Sequence, residues 1–404
     1  MITAQIPSNE GVVNVRILLY ISHMTMNALL ESSAARRAYG RILRLARTSP
    51  MNPAVLRELS QQLRLIVPFT ASFWAASDPL TMLATSPARL ENVQGVCDRF
   101  WELEFLTQDF NLFRDLARAE RPVSSLYRAT DGQPMRSVRY REINRALGLG
   151  DELRGIFRSG KGGWGIVVLW REEGQRPFSL AEEKLIADLS APIAEAFRRA
   201  ALLRASMSGE SPEAPGLLVF DQHGELISFT DQAEAWLSML PPTVGGDRSR
   251  CGLLLPAEIC SVVGLAHAIG AGVEQGIARV RTQTKTGRWL VIHGFPLRGP
   301  HDAPGRTAVV IEPAKASEIA PLIVEAYDLG PREQQISQMI ARGLSTVQIA
   351  EQLYLSPHTV RDYVKSIFEK VGVSSRGELV ARIFAEHYAG PLHDSVHNGL
   401  SATE

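Results

Sequence analysis

Between Ser345 and Lys365 the chain gathers hydrogen-bonding side chains at helix-like spacing. Ser345-Thr-Val-Gln348 is a capping box, in which serine and glutamine side chains satisfy the free amides of a helix start. Ser356 followed by Pro357 is a second start: a hydroxyl cap, then a proline whose missing amide is harmless at the first helical position. Beyond it Val360, Val364, Ile367 and Val371 recur at +4, +7 and +11 and make one apolar stripe. His358, Arg361, Asp362 and Lys365 fall on the opposite side. These residues suit recognition, not bond-breaking. A DNA major groove admits one helix, whose exposed N-terminal half must offer donors to base edges. Hydroxyls and helix N-termini hold the flanking phosphates. Asp362 repels phosphate but can accept from cytosine N4; the competing role is pairing with Arg361 or another neighbour.

Short helices must position these groups. The first runs from Pro331 to Ala341 with Ile336, Met339 and Ile340 apolar, and Gly343 can take the left-handed conformation that ends it. The second follows Ser345 and turns Ile349, Ala350 and Leu353 inward. The third follows Ser356, and a fourth, with Leu379 and Ile383 apolar, runs from Ser375 to about His387.

The run Leu329-Gly-Pro-Arg-Glu333, Ile340-Ala-Arg-Gly-Leu-Ser345, Ile349-Ala-Glu-Gln-Leu353, Leu355-Ser-Pro-His-Thr-Val360, Val364-Lys365 and Val371-Gly-Val-Ser-Ser-Arg376-Gly-Glu-Leu-Val380 resembles the LuxR-type helix-turn-helix domain. The resemblance implies an all-α four-helix DNA-binding domain over 328–388, with its fourth helix available for dimerisation. It places Arg361, Asp362 and Lys365 at base-edge contacts and Ser345, Thr346 and Thr359 at phosphate contacts, and Ser356 and His358 complete the expected DNA-binding set. Gly330 replaces the usual Ser or Thr cap of the first helix, a loss of a few tenths of a kcal/mol. Charge over 329–388 is nearly balanced, seven Lys or Arg against six Asp or Glu, so weak non-specific affinity and reliance on dimerisation are expected.

Upstream, the pattern divides into an N-terminal helical segment (1–49), an α/β unit (50–205), a linker (206–215), a second α/β unit (216–312) and a connector (313–327). A tail at 389–404 reads as disordered. In the first segment, after a short apolar run at Val15–Ile21, Arg37, Arg41 and Arg44 share one helix face, either solvated or turned to phosphate. Asn52-Pro53 opens a helix striped by Leu56, Leu59, Leu63 and Ile66. Phe69–Ala75 and Thr81–Ala84 read as strands, Val93–Leu116 as one aromatic-rich helix, and Gly165-Ile-Val-Val-Leu-Trp170 as a strand after a glycine-rich turn. Ser179-Leu-Ala-Glu182 caps a helix reaching Arg204, with Leu185, Leu189, Ile193, Ala196 and Leu203 along a side that could pair with its twin in a dimer or pack on its own sheet. In the second unit Leu217–Phe220, the turn Asp221-Gln-His-Gly224 and Leu226–Phe229 form a hairpin. A short helix then opens at Asp231, and strands follow at Arg288–Phe295 and Thr307–Ile311, joined by Pro300–Gly305.

By element order, 50–205 resembles a GAF domain; Leu218-Val-Phe-Asp221-Gln-His-Gly224-Glu-Leu-Ile-Ser-Phe229-Thr-Asp-Gln-Ala233 resembles the opening of a PAS domain. Both resemblances imply cytosolic sensing of small molecules and dimerisation through flanking helices. The expected fold class is therefore multidomain α+β: GAF-like and PAS-like α/β sensor domains, then the LuxR-type helical domain. Trp74, Phe100, Trp101 and Phe105 are candidates to line an effector pocket, with core packing as the alternative.

Other chemistries lack residues. Gly160-Lys-Gly-Gly163 has neither the spacing nor the Ser/Thr of a phosphate loop, and residues 1–210 carry no receiver pattern. Three cysteines make neither a disulfide framework nor an all-cysteine zinc site, and Cys251 and Cys260 read as packing residues. His267 and His293 are isolated and read as structural, no catalytic or metal-ligating set is named, and no cofactor is identified. Apolar residues are 45% and charged residues 21%, an ordinary globular balance with zero formal net charge, so DNA binding must rest on a local patch. No signal sequence or membrane-length apolar run is apparent, and a cytoplasmic location is expected. The expectation is a dimeric, non-enzymatic transcription regulator binding double-stranded operator DNA and an unidentified effector, with RNA polymerase as a further partner. The alternative is an interaction or anti-regulator protein that uses the helix-turn-helix for dimerisation or docking.

Overall fold

The computed structural model describes residues 28–93, 95, 97–160, 162–202, 214–244, 253–298, 305–315, 318–319, 322 and 325–380. The lead with Val15–Ile21, most of the 206–215 linker, Cys251, residues 300–304, the end of the fourth helix and the 389–404 tail lie outside these residues.

Helix α1 (Ser33–Thr48) starts at Ser32, whose hydroxyl accepts from the Ala35 amide, and buries Ala38, Ile42 and Leu45. Its arginines stay on the exposed side, and Arg41 pairs with Glu58 at 2.6 Å. Helix α2 (Pro53–Arg64) is capped as its sequence predicts, Asn52 Oδ1 accepting from Ala54 and Val55. Strands β1 (Ala71–Ser77), β2 (Ala84–Glu91), β3 (Val123–Ser125), β4 (Leu149–Ser159) and β5 (Gly162–Glu172) form an antiparallel sheet in the order β2-β1-β5-β4-β3.

Several expectations are corrected in this region. Thr81–Leu83 is a turn, and the strand begins at Ala84. Pro87 is accommodated there because β2 is the outermost strand and its register shifts opposite Ala75/Ala76. The single helix Val93–Leu116 is two, α3 (Cys97–Leu106) and α4 (Phe113–Arg118). Between them Asp109 turns inward and accepts from Ser137 Oγ and Arg139 N, both at 2.8 Å, and Asn111 adopts φ 56°. A short helix, α5 (Leu126–Ala129), follows β3. The Ser179 capping box forms, but its helix breaks into α6 (Leu180–Asp188) and α7 (Ser190–Leu202). Pro192 explains the break: its ring would collide with the carbonyl of Asp188, four residues back. The apolar side of this pair is used inside the fold, where Leu185, Leu189, Ile193 and Ala196 join one core with α1, α2 and Trp74.

The second sheet contains β6 (Gly216–Phe220), β7 (Leu226–Phe229), β8 (Ala278–Gln283), β9 (Trp289–Pro296) and β10 (Thr307–Pro313), again antiparallel, in the order β7-β6-β10-β9-β8. Thr230 caps α8 (Asp231–Met239) through its hydroxyl. Helix α9 (Ala257–Gly270) and strand β8 have no counterpart among the sequence expectations. Leu218, Ile259, Val262, Ile292 and Val309 belong to a core that continues through α9 and α3 into the first sheet, reaching Phe73, Ile156 and Val168. Residues of α3 and α9 approach closely at one point: a Cβ on Gly264 would stand 3.0 Å from the backbone and Cβ of Trp101. The chain thus comprises two antiparallel sheets with helices, followed by a helical C-terminal domain.

Candidate nucleic-acid interface

The C-terminal domain contains α10 (Pro331–Ala341), α11 (Thr346–Leu353), α12 (Pro357–Val371) and α13 (Arg376–Val380, the described part of the fourth helix). Its core contains Ile336, Ile340, Ile349, Val360, Ile367, Val371 and Leu379, all at most 4% exposed, and is continued by Ile319, Leu322 and Trp289 from upstream. Each helix boundary follows from its residues. Gly343 ends α10 in a left-handed turn, and Ser345 and Gln348 close the capping box of α11. Tyr354 is left-handed at φ 54° between α11 and α12, Ser356 caps α12 by accepting from the Thr359 amide at 3.0 Å, and Gly372 ends it.

Burying the valine stripe leaves His358, Arg361, Asp362 and Lys365 exposed together on α12, at i, i+3, i+4 and i+7. Among the described residues Arg361 and Lys365 have no ion-pair or side-chain hydrogen-bond partner, so both cations are available to an incoming ligand. Asp362 pairs with His358, Nδ1 to Oδ2 at 3.0 Å, and not with Arg361. The hydroxyls act within the domain yet keep a proton to donate. Ser345 Oγ accepts from the Gln348 amide, and Thr346 Oγ1 accepts from Arg376 Nη2 at 2.9 Å. Ser356 Oγ and Thr359 Oγ1 share one hydrogen bond at 2.8 Å, which leaves one of the two protons unused. Donors therefore stand at the starts of α11 and α12, where the helix ends favour an anion.

Sequence reasoning missed two positioning residues. Glu333 is 6% exposed and accepts from the Gly330 amide at 2.6 Å, Ser366 Oγ at 2.6 Å and Lys370 Nζ at 2.7 Å. It satisfies the Gly330 amide, the half of the capping box that does not need a side chain at 330, and ties α10 to α12. Burial pushes its carboxyl up, but these three donors outweigh that and hold it below the ordinary glutamate range. Arg376 donates to Leu344 O and Thr346 Oγ1, clamping the start of α13 to the start of α11. The position of Glu333, three residues after Gly330, was the available signal for the first.

The four rings proposed as effector-lining residues do not converge. Trp74 stacks on Phe157 at 5.8 Å on one face of the first sheet. Phe100, Trp101 and Phe105 lie on the other face, with Trp101 edge-on to Phe100 at 5.3 Å and stacked on Phe105 at 6.1 Å. Alternation along β1 separates the two sets, because neighbouring Phe73 and Trp74 point to opposite sides. Cys260 is buried and His267 is held below the usual imidazole range, chiefly by burial.

Two short helices, the second with a buried stripe behind a polar exposed face, define a helix-turn-helix domain. Residues 328–383 match the family model described as bacterial regulatory proteins of the luxR family, so this segment is a luxR-family DNA-binding domain. Similar curated proteins match over stretches of comparable length. The probable transcriptional regulatory protein NarL of Mycobacterium tuberculosis is 39% identical over 67 residues, 17% of this chain and 28% of that protein. UhpA of Escherichia coli is 41% identical over 56 residues, 14% and 29% of the two chains. DesR of Bacillus subtilis is 38% identical over 61 residues, 15% and 31%. The chain thus spans less than a third of the length of these relatives. Among solved structures, E. coli SdiA aligns over 85% of this chain and 96% of its own at 11% identity and a TM-score of 0.31, too slight a likeness to assign a fold or a ligand. No helix among the described residues is long and apolar enough to cross a membrane.

Proposed function

We propose that this chain is a sequence-specific DNA-binding transcription regulator that works as a dimer and answers to a small-molecule effector. The observation that carries the reading is the exposed face of α12, where unpartnered Arg361 and Lys365 stand behind the capping hydroxyls of a luxR-family domain. In this reading Arg361 and Lys365 contact base edges, and Ser345, Thr346, Ser356 and Thr359 contact phosphates. His358 holds Asp362, which leaves one carboxylate oxygen free to accept from cytosine N4. Units 50–205 and 216–312 are read as GAF-like and PAS-like sensor domains, in a protein of the cytoplasm whose DNA-bound form meets RNA polymerase. With the stripe on α6 and α7 buried inside the fold, dimerisation falls to the fourth helix of the C-terminal domain. Two half-sites would then lie about one helical turn apart, ~34 Å.

The test is a footprint on the DNA flanking the gene, with Arg361→Ala and Lys365→Ala as variants. Each is expected to cost about 1–3 kcal/mol of operator affinity while circular dichroism stays unchanged. Unaltered affinity in both variants defeats the assignment. The near-balanced charge over 329–388 and the His358–Asp362 pair favour a second reading, a docking module without a DNA role. Salt separates the two: phosphate contacts release counterions, so operator affinity must fall steeply as salt rises, whereas docking of this nearly neutral domain need not.

A further inference from the structure

Segments far apart in sequence enclose a cleft of about 210 Å3 where the two sheets, the end of α7 and the connector meet. Its size exceeds the ~150 Å3 cavity that admits benzene and falls below the ~300 Å3 at which drug-sized sites begin. A molecule of one or two rings fits that range. Trp164, Phe197 and Trp289 supply aromatic walls.

Charge narrows the choice. The Asp78–Arg281 pair in the wall is 2.7 Å apart with both side chains at most 2% exposed, so it is already neutralised. Lys285 is different: it is exposed at the cleft, and its Nζ donates to the neutral Ser238 carbonyl at 2.7 Å. Trp164 is 2% exposed, and its indole Nε1–H lacks an acceptor among the described residues. That nitrogen lies close to the wall residue Pro79 and to the Glu325 carboxylate: a Cβ on Gly162 would stand 2.8 Å from the nitrogen, 3.1 Å from Glu325 Oε1 and 3.2 Å from Pro79 Cβ.

We propose that this cleft binds a small aromatic monocarboxylate, its ring among Trp164, Phe197 and Trp289 and its carboxylate facing Lys285, and that occupancy shifts the helix-turn-helix domain. The shift has a physical route. Trp289 and Leu322 line the cleft and also pack into the apolar cluster that contains Leu329, Ile336 and Ile340 of the C-terminal domain. Arg198, from the same helix as Phe197, donates to the carbonyl of Ala326, and Lys370 of α12 donates to the carbonyl of Asp328 at 3.0 Å. Movement of Trp289 is therefore felt by both the connector and the recognition helix.

The coupling rests on the DNA-binding reading; occupancy of the cleft does not. Full-length protein is titrated by calorimetry with benzoate and with uncharged benzamide. Benzoate is expected to bind saturably, and Lys285→Gln to weaken it by about fivefold, the reach of one partly exposed ion pair, without changing benzamide. Ala200→Leu, which fills the cleft, removes both. Benzoate should also change the affinity for the footprinted DNA by about fivefold or more in the parent and not in Ala200→Leu. No saturable binding, or benzoate binding indifferent to both substitutions, overturns the site. Benzoate binding without any change in DNA affinity overturns the coupling, and a protein that binds benzoate but no DNA overturns the regulator reading and leaves the site standing.

Discussion

The two sheets follow the same antiparallel order, yet their interior faces are built from different chemistry. In the second, α9 covers Leu218, Leu290, Ile292 and Val309, and the buried acid on that helix is Glu258. In the first, the face under α3 and α4 carries charge. Arg139 and Arg154, each 0% exposed, meet Glu104, Asp109 and Glu152. Arg154 Nη2 lies 2.7 Å from Glu104, and its guanidinium sits 3.8 Å from the Phe113 ring. Strand order therefore does not dictate what fills a sheet's interior. Buried ions add little net stability compared with apolar residues of equal volume, but removing one partner strands the other. The face under α3 and α4 is thus sensitive to the loss of one charge in a way the apolar strand residues under α9 are not.

This contrast can be broken by mutation. The largest effect is expected from Arg154→Met, which leaves Glu104 and Glu152 without their shared cation: about 3–5 kcal/mol of stability lost in urea unfolding. Adding Glu104→Gln should recover most of it, because Gln keeps the acceptor used by the Phe113 amide at 2.6 Å and removes the stranded charge. No recovery would show that the region is held by shape and not by charge balance.

In the second sheet Ile292→Ala, at 0% exposure, is expected to cost about 2–5 kcal/mol with no pH dependence. A pH-dependent loss would place titrating groups in that core.

The smallest effect concerns Glu258. Burial raises its carboxyl above the ordinary range, against hydrogen bonds from Ser86 and Thr282, and its Oε2 has no partner among the described residues. A raised folded value means stability is greatest while the group is protonated and falls as pH rises through the ordinary carboxylate range toward the folded value. Glu258→Gln should flatten that slope and raise the unfolding free energy at neutral pH by on the order of 1 kcal/mol. A slope unchanged by the substitution assigns it to another group.

What could be read from the chain divides along similar lines. The helix-turn-helix was legible because its instructions are local. Ser345 with Gln348, Ser356 with Pro357, and Gly343 each act within a few residues, and all appear as expected. The capping box at Ser179 and the Asn52 cap were legible for the same reason. Strand β4 was not. Glu152 and Arg154 alternate with apolar Leu153 and so imitate a solvated face, and only partners such as Glu104 and Arg139 make them interior residues. Helix α9 escaped for the opposite reason: from Ile259 to Ala268 it is buried almost all round, so it lacks the one-sided pattern that marks a surface helix. Of the four aromatic candidates, Phe100, Trp101 and Phe105 share one face of the first sheet and Trp74 lies on the other, a division set by side-chain alternation along β1 that only the strand assignment reveals.

The meeting of Trp101 and Gly264 leaves no slack between α3 and α9 at that point, since even one added carbon would crowd the tryptophan backbone at 3.0 Å. A side chain at position 264 would therefore have to part α3 from α9 before the two sheets could share one core.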